Sequence, residues 1–249
     1  MTDFYDGVSS FYDEMTRFDK RVEAERTMLQ RWQKRYDFSS VVDVACGTGL
    51  HAILLAEMGV RTVGVDISSA MIEKAQRNSK RFNVNVTWQV GSMLNLVDYF
   101  QNSFDAVFCL GNSVPHLLTE SQLTSAIQNF AKILNPNGLL VLQILNYASI
   151  LQGKNRIVGI HQQKDHTFVR FYDFEKEFIR FNILAIKWQN GKNTHSLHST
   201  QLYPYRKNEL ENVLTHNGFK KPELFGNMQF APFDMDTSKN LVIAARKCD

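Results

Sequence analysis

Two glycines and two aspartates carry the first chemical signal in this chain. The stretch VVDVACGTGLHAILLAEMGVRTVGVD runs from Val41 to Asp66. In it a short β-branched run ends in Ala45 and Cys46, then turns through Gly47 and Gly49 into an apolar segment. Small residues at such a turn let a ligand lie against bare backbone, with helix N–H groups aimed at it. Asp66 closes the next apolar run, where a carboxylate accepts both hydroxyls of a ribose. A glycine pair alone is a weak signal, because any strand-to-helix turn uses one. The pair, its flanking strand and helix, and the acid at the next strand end together describe a nucleoside site.

The elements that must position these residues follow from periodicity. Residues 20–36 read as a helix, with Val22, Met28, Leu29, Trp32 and Tyr36 on one side. SSVVDVA is a buried strand, and the helix after it runs from near Gly49 to Gly59. RTVGVD is a second strand, and Ser68 is placed to cap the helix that carries Met71, Ile72 and Ala75. VTWQV, FDAVFCL and LLVLQIL supply three more strands. Thr119, with Gln122 three residues on, opens a helix that the turn NPNG ends. This alternation predicts an α/β fold with a Rossmann-like, mainly parallel sheet flanked by helices. After Tyr147 the period becomes that of strands, with Asn190-Gly191 as a hairpin turn. The expected organisation is therefore an N-terminal helix and cofactor-binding part over 1–150, an antiparallel β insertion acting as a substrate lid over 151–205, and a return to the main sheet over 206–249.

The third glycine of the dinucleotide pattern G-x-G-x-x-G is here Ala52, a replacement that does not exclude a dinucleotide. Asp43, inside the first strand, is more telling. A pyrophosphate has no need of a negative charge there, whereas an acid orients the cationic α-ammonium of S-adenosylmethionine. VVDVACGTG, VGVD, VGSM and FDAVFCLGNSVPHL resemble successive motifs of the class I S-adenosylmethionine-dependent methyltransferases. DVACGTG with CLGNSxxHL is most similar to their glycine N-methyltransferase branch. The likeness covers about residues 11–147. It implies that Asp43, Ala45, Gly47 and Gly49 line the methionine end, that Asp66 holds the ribose, and that Ile67 and Met71 flank the adenine. Ser92 and Met93 would contact the adenine edge, and Leu110 would begin the stretch beneath the methionine moiety. Arg21 matches the arginine that pairs with the cofactor carboxylate, and Tyr12 the tyrosine that closes over the cofactor.

A sulfonium methyl is already electrophilic, so the protein's main task is to hold an acceptor lone pair in line with it, away from water. Gly111, Asn112, Ser113 and His116 follow the fourth strand and form the acceptor-side candidates; Asn112 matches the branch's substrate asparagine, and His116 is either a general base or a buried structural histidine. Tyr147 also keeps the match. The branch pattern resembles DHRNY at the end of the fifth strand, with an arginine that binds glycine's carboxylate. This chain has QILNY, and Leu145 stands where that arginine would be. Leucine cannot pair with a carboxylate. Glycine is therefore disfavoured unless Arg156, Arg170 or Arg206 reaches the site. The aromatics Phe168, Phe171, Tyr172, Phe174, Phe178 and Phe181 either line an apolar acceptor pocket or cover a sheet face.

Composition narrows the partners. The formal net charge is +3, with Lys and Arg interleaved among acids, so no basic stripe marks a nucleic-acid partner. LGNS also lacks the Asn/Asp-Pro-Pro-aromatic tetrad of enzymes acting on base amino groups. Three cysteines form no even framework, which suits a reducing compartment. The N-terminus lacks a leader pattern, no run is long enough to span a bilayer, and a cytoplasmic protein is expected. No metal is expected: His195 and His198 fall on opposite strand faces, and His161 and His166 sit in an irregular stretch. The leading expectation is an S-adenosylmethionine-dependent methyltransferase acting on a small molecule, possible acceptors including nitrogen. The alternatives are an S-adenosylmethionine sensor without transferase activity and a nicotinamide-dependent dehydrogenase. Oligomeric state is not legible at this level.

Overall fold

The computed structural model describes residues 2–100 and 104–249. Three helices lead into the main domain: α1 (Thr2–Val8), α2 (Tyr12–Thr16) and α3 (Phe18–Tyr36). The helix expected at 20–36 begins at Phe18, because Arg17 takes a left-handed φ of 56° and breaks the chain between α2 and α3. There follow β1 (Ser40–Val44), α4 (Leu50–Glu57), β2 (Arg61–Asp66), α5 (Ser69–Arg81), β3 (Thr87–Val90), β4 (Phe104–Cys109), α6 (Glu120–Ile133), β5 (Leu134–Leu145) and α7 (Tyr147–Gly153). The second half holds β6 (Ile157–Gln163), β7 (His166–Phe174), β8 (Ile179–Gln189), β9 (Lys192–Leu202), α8 (Lys207–His216), β10 (Glu223–Phe225) and β11 (Asn240–Arg246).

The main sheet has the order β10-β11-β5-β4-β1-β2-β3, parallel from β1 to β5, with β11 antiparallel to β5. β-branched residues on β1 alternate between its two covered faces. Val41 joins the core under α3 and α4, where Leu29, Trp32, Ile53 and Leu54 are fully buried. Val42 and Val44 join the opposite core with Ile127 and Phe130 of α6 and Leu214 of α8. The two helix caps expected from sequence form: Ser68 Oγ accepts the Met71 amide, and Thr119 Oγ1 accepts the Gln122 amide. Gln122 returns its carboxamide oxygen to the Leu118 amide, one residue before the cap.

NPNG does not form a loop separate from the sheet. β5 begins directly after α6, and the β4–β5 register jumps from Phe104↔Leu134 to Ala106↔Leu139. Asn135–Gly138 is thus a bulge within the strand, with Asn137 at φ 57°. The second sheet is an antiparallel meander in the order β6-β7-β8-β9. His161 and His166, expected in irregular chain, lie on β6 and at the start of β7. One face of this sheet, through Phe168, Ile183 and Ala185, packs on Phe4, Val8 and Met15 of α1 and α2 and on Met71 of α5. No helix among the described residues is long and apolar enough to cross a membrane.

Candidate active site

The parallel strands reverse order between β1 and β4, the crevice in which open α/β sheets bind ligands. A cavity lies there, at the carboxyl ends of β1, β2 and β4. Its floor is Asp43, Ala45, Cys46, Gly47 and Thr48; its sides are Asp66, Ile67, Gly91, Ser92, Met93 and Leu94. Leu110, Gly111, Ser113, His116, Leu117 and Gln122 form the far end, and Tyr5, Tyr12, Thr16, Phe18 and Arg21 roof it.

The turn after β1 needs left-handed backbone at Ala45 (φ 56°), Gly47 (φ 56°) and Gly49 (φ 87°). Gly49 faces away from the cavity. A Cβ there would stand 2.5 Å from the Trp88 ring, so this glycine lets β3's tryptophan close over the turn. At Gly47 the side facing Tyr12 is open, and the backbone is exposed to the cavity.

Asp66 Oδ2 accepts the Gly47 amide at 2.8 Å, and its Oδ1 accepts the Ser68 amide at 2.9 Å. Burial nevertheless holds its carboxyl above the usual range, against the pull of those amides. Asp43 is 1% exposed, and its Oδ2 has no hydrogen-bond partner. Burial raises its carboxyl to about 6, while His51 and the Ala52 amide act the other way. An orphaned buried carboxylate oxygen at a cavity wall is a place for a cation. Beside it, Arg21 bonds Glu25 at 2.9 Å, and His51 lies 3.3 Å from the same carboxylate. Burial would raise Glu25, but His51 and Arg21 outweigh it and bring the group down to about 2.

The far end is different in kind. Tyr5 Oη and His116 Nε2 are 2.7 Å apart. Burial lowers His116 to about 4, so the imidazole is neutral at pH 7. Burial also raises the phenols of Tyr5 and Tyr12, with Asp66 adding to both shifts. Leu94, Gly111, Ser113, Leu117 and Gln122 complete this end, and none carries a formal charge.

The roof is pinned from α5. Ser68 Oγ bonds Asp6, Lys74 Nζ donates to the Ser9 and Ser10 carbonyls, and Asn78 Nδ2 bonds both Asp13 and the Thr48 carbonyl.

Of the residues named from sequence for a cofactor, all but Gly49 and Met71 line this cavity. Met71 is fully buried among Phe4, Val8 and Phe168. On the acceptor side His116 lines the cavity, whereas Asn112 and Tyr147 do not. Instead, Asn112 Oδ1 accepts the Leu145 amide at 2.9 Å, and its Nδ2 donates to Tyr147 Oη at 2.9 Å. None of the six aromatics from Phe168 to Phe181 lines it either. The antiparallel sheet stands behind the roof helices.

Sequence reasoning missed Tyr5. The signal was present as a repeated Phe-Tyr-Asp, at 4–6 and again at 11–13, a spacing of two helical turns. It also missed a cluster away from the cavity, where His166 Nδ1 lies 3.1 Å from Glu14 and 3.3 Å from Asp165. Those three groups are close enough to share a cation, and in the structure they tie α2 to the β6–β7 hairpin.

A family profile described as "Methyltransferase domain" matches residues 41–138. A glycine/sarcosine N-methyltransferase from Parasynechococcus marenigrum (strain WH8102) is 27% identical over 219 residues, covering 88% of this chain and 76% of that protein. Among solved structures, an S-adenosylmethionine-dependent methyltransferase from Clostridium acetobutylicum ATCC 824 aligns with TM-score 0.83 at 15% identity, over 98% of this chain and 99% of that one. The sugar N-methyltransferase KedS8 from Streptoalloteichus sp. ATCC 53650 aligns with TM-score 0.72 at 22% identity, over 96% and 93%.

Proposed function

We propose that the chain, similar to methyltransferases and to a glycine/sarcosine N-methyltransferase, is a class I S-adenosylmethionine-dependent methyltransferase that methylates a small amine carrying no carboxylate. The sensor and dehydrogenase alternatives give way to a methyltransferase. The observation that carries the acceptor class is the charge-free far end of the cavity, built around Tyr5 and neutral His116.

S-adenosylmethionine, when bound, supplies a methyl activated on a sulfonium. The residues present fit it. The orphaned oxygen of Asp43 would take the α-ammonium, Arg21 the carboxylate, and Asp66 the ribose hydroxyls. Ile67, Ser92 and Met93 would border the adenine, with Ala45, Gly47 and Leu110 along the methionine chain. Tyr12 would cover the whole from α2.

The acceptor lies against Tyr5, Ser113, His116 and Gln122. Its nitrogen must be neutral to attack, and a neutral, water-poor end favours that form. Taking the methyl as the sulfonium C–S bond breaks and its electron pair returns to sulfur would leave the acceptor nitrogen positively charged. Its proton passes to the Tyr5 oxygen while the Tyr5 proton passes to His116 Nε2.

Glycine and sarcosine, the substrates in the relative's name, fit poorly. Leu145 borders a second cavity and not this one. Arg156 pairs with Asp173, Arg206 begins α8 by donating its amide to Glu209, and neither they nor Arg170 lines the site. A sugar bearing an amine, in line with KedS8 being a sugar N-methyltransferase, or another amine without a further charge meets the chemistry of this end. Three unpaired cysteines suit a reducing compartment, and we assign the enzyme to the cytoplasm.

The test is transfer of labelled methyl from S-adenosylmethionine into a cell extract separated by size. Label in small basic molecules is the expected result. Label confined to RNA or protein would overturn the acceptor class and leave the cofactor assignment standing.

A further inference from the structure

Three arginines of α3 are paired with acids, and one pair stands apart. Arg26 is tied to Glu23 and Glu57, and Arg35 to Glu223. Arg21 is tied to Glu25, and of these three arginines it alone lines the cavity. Glu25 Oε1 accepts both Arg21 Nε, at 3.1 Å, and Arg21 Nη2, at 2.9 Å. Glu25 Oε2 lies 3.3 Å from His51 Nε2, on α4. His51 also lines the cavity, whereas Glu25 stands behind both.

We infer, resting on the cofactor reading above, that Glu25 and His51 are positioning residues. They fix the Arg21 guanidinium for the carboxylate of S-adenosylmethionine, and so make the site select ligands that carry one. Three observations support this. First, the right donors are left over. A guanidinium carries five N–H donors in a rigid fork. Glu25 takes the edge formed by Nε and Nη2. Nη1 keeps both of its hydrogens and Nη2 keeps one, so the end-on edge is free. That edge grips a carboxylate through two parallel N–H bonds.

Second, helix stability does not account for the pair. An arginine four residues before a glutamate is the weaker order on a helix, because it opposes the macrodipole. A surface ion pair also leaves its acid free to swing away. Here Glu25 is 22% exposed, and its second oxygen is engaged by His51, itself 16% exposed.

Third, His51 refers the arginine to the rest of the site. It is the second residue of α4, which starts at Gly49 of the turn after β1. It also stands close enough to Asp43 to act on that carboxyl. The arginine on α3 is thereby tied to the turn that follows the aspartate's strand. An amino acid's ammonium and carboxylate hang from one carbon, so their two partners must keep a fixed separation. Released from Glu25, a long side chain that is 39% exposed would have to be ordered each time ligand binds.

The test compares two ligands by titration calorimetry on the full chain. S-adenosylhomocysteine carries the amino-acid group; 5′-methylthioadenosine keeps the nucleoside and lacks both ammonium and carboxylate. Glu25→Ala should weaken S-adenosylhomocysteine about tenfold and leave 5′-methylthioadenosine within about twofold. Glu25→Gln still offers Arg21 a carbonyl oxygen and should recover most of that loss. His51→Ala should cost about two- to threefold, with the same selectivity. In an Arg21→Ala background Glu25→Ala should add nothing, because the group it positions is gone. Equal weakening of both ligands would make the pair a prop of the fold and overturn the inference. So would S-adenosylhomocysteine affinity unchanged or improved in Glu25→Ala. Failure of the cofactor reading has a different mark: Arg21→Ala alone would leave S-adenosylhomocysteine binding intact, and the inference would fall with it.

Discussion

Tyr5 Oη and His116 Nε2 meet at 2.7 Å, although 111 residues separate them in the chain. Tyr5 comes from α1, and His116 from the turn that follows β4, so the pair exists only when the N-terminal helices are seated. Burial keeps His116 at about 4, which makes it a neutral acceptor throughout the physiological range. His116→Phe should therefore lower kcat by about 100-fold, the lower end of a positioned proton acceptor's contribution. S-adenosylhomocysteine affinity should hold, and Tyr5→Phe should follow the same pattern. Steady-state kinetics beside a binding titration checks this; unchanged kcat in both variants would reduce the pair to packing.

Asp43 gives a pH signature with a defined sign. Its folded carboxyl, raised by burial to about 6, holds a proton more tightly than the unfolded chain does at 3.8. The stability it contributes is present below pH 3.8 and is lost as pH rises through about 6. An ammonium placed at its orphaned oxygen favours the carboxylate. S-adenosylhomocysteine should bind more tightly as pH rises from 5 to 7, then level off, with proton release between. Calorimetry in two buffers measures both effects. Asp43→Asn should abolish the slope, and a slope that survives would assign it to another group.

The cavity wall along β1 and β2 was legible in sequence because its demands are local. Gly47 takes a φ that side chains resist, Asp43 and Asp66 stand at strand positions fixed by periodicity, and Ser68 caps a helix at the expected place. The alternation of strands and helices gave the main sheet, and Asn190-Gly191 gave the β8–β9 hairpin. What failed to show was set by distant packing. Which face of the second sheet meets the N-terminal helices decided that Phe168 would be core and not cavity wall. Met71 reads as an adenine neighbour by its place in the motif, yet α1 lies over it and seals it. Gly49 looks like a ligand glycine until Trp88, on a strand formed much later in the chain, is laid against it.

Asp66 does two jobs at once, and substitutions should separate them. It orders the turn through the Gly47 and Ser68 amides, and it presents carboxylate lone pairs to the cavity. Hydrogen bonds to a charged group contribute about 1.5–3 kcal/mol each, so Asp66→Ala should weaken S-adenosylhomocysteine by roughly 10- to 100-fold or more. Asp66→Asn keeps one acceptor and should lose less. Titration calorimetry on both variants is the check; unchanged affinity in the alanine variant would move the ribose elsewhere.

Asn112 separates a structural role from a substrate role. Its side chain bridges the Leu145 amide and Tyr147 Oη, and its backbone sits at φ 69°. Asn112→Ala leaves the Leu145 amide without its acceptor and puts a less tolerant residue at left-handed φ. Together these should destabilise the fold by about 2–4 kcal/mol. Asn112→Gly removes the same hydrogen bonds but relaxes the backbone, and should recover about 1 kcal/mol of that loss. Tyr147→Phe, which deletes only the hydroxyl, should cost about 1 kcal/mol. Denaturant titrations give the order Ala, Gly, Phe if the bridge is what these residues provide. A raised acceptor KM at unchanged stability would return Asn112 to the substrate, and the acceptor would then have to extend from the charge-free end of the cavity toward β5.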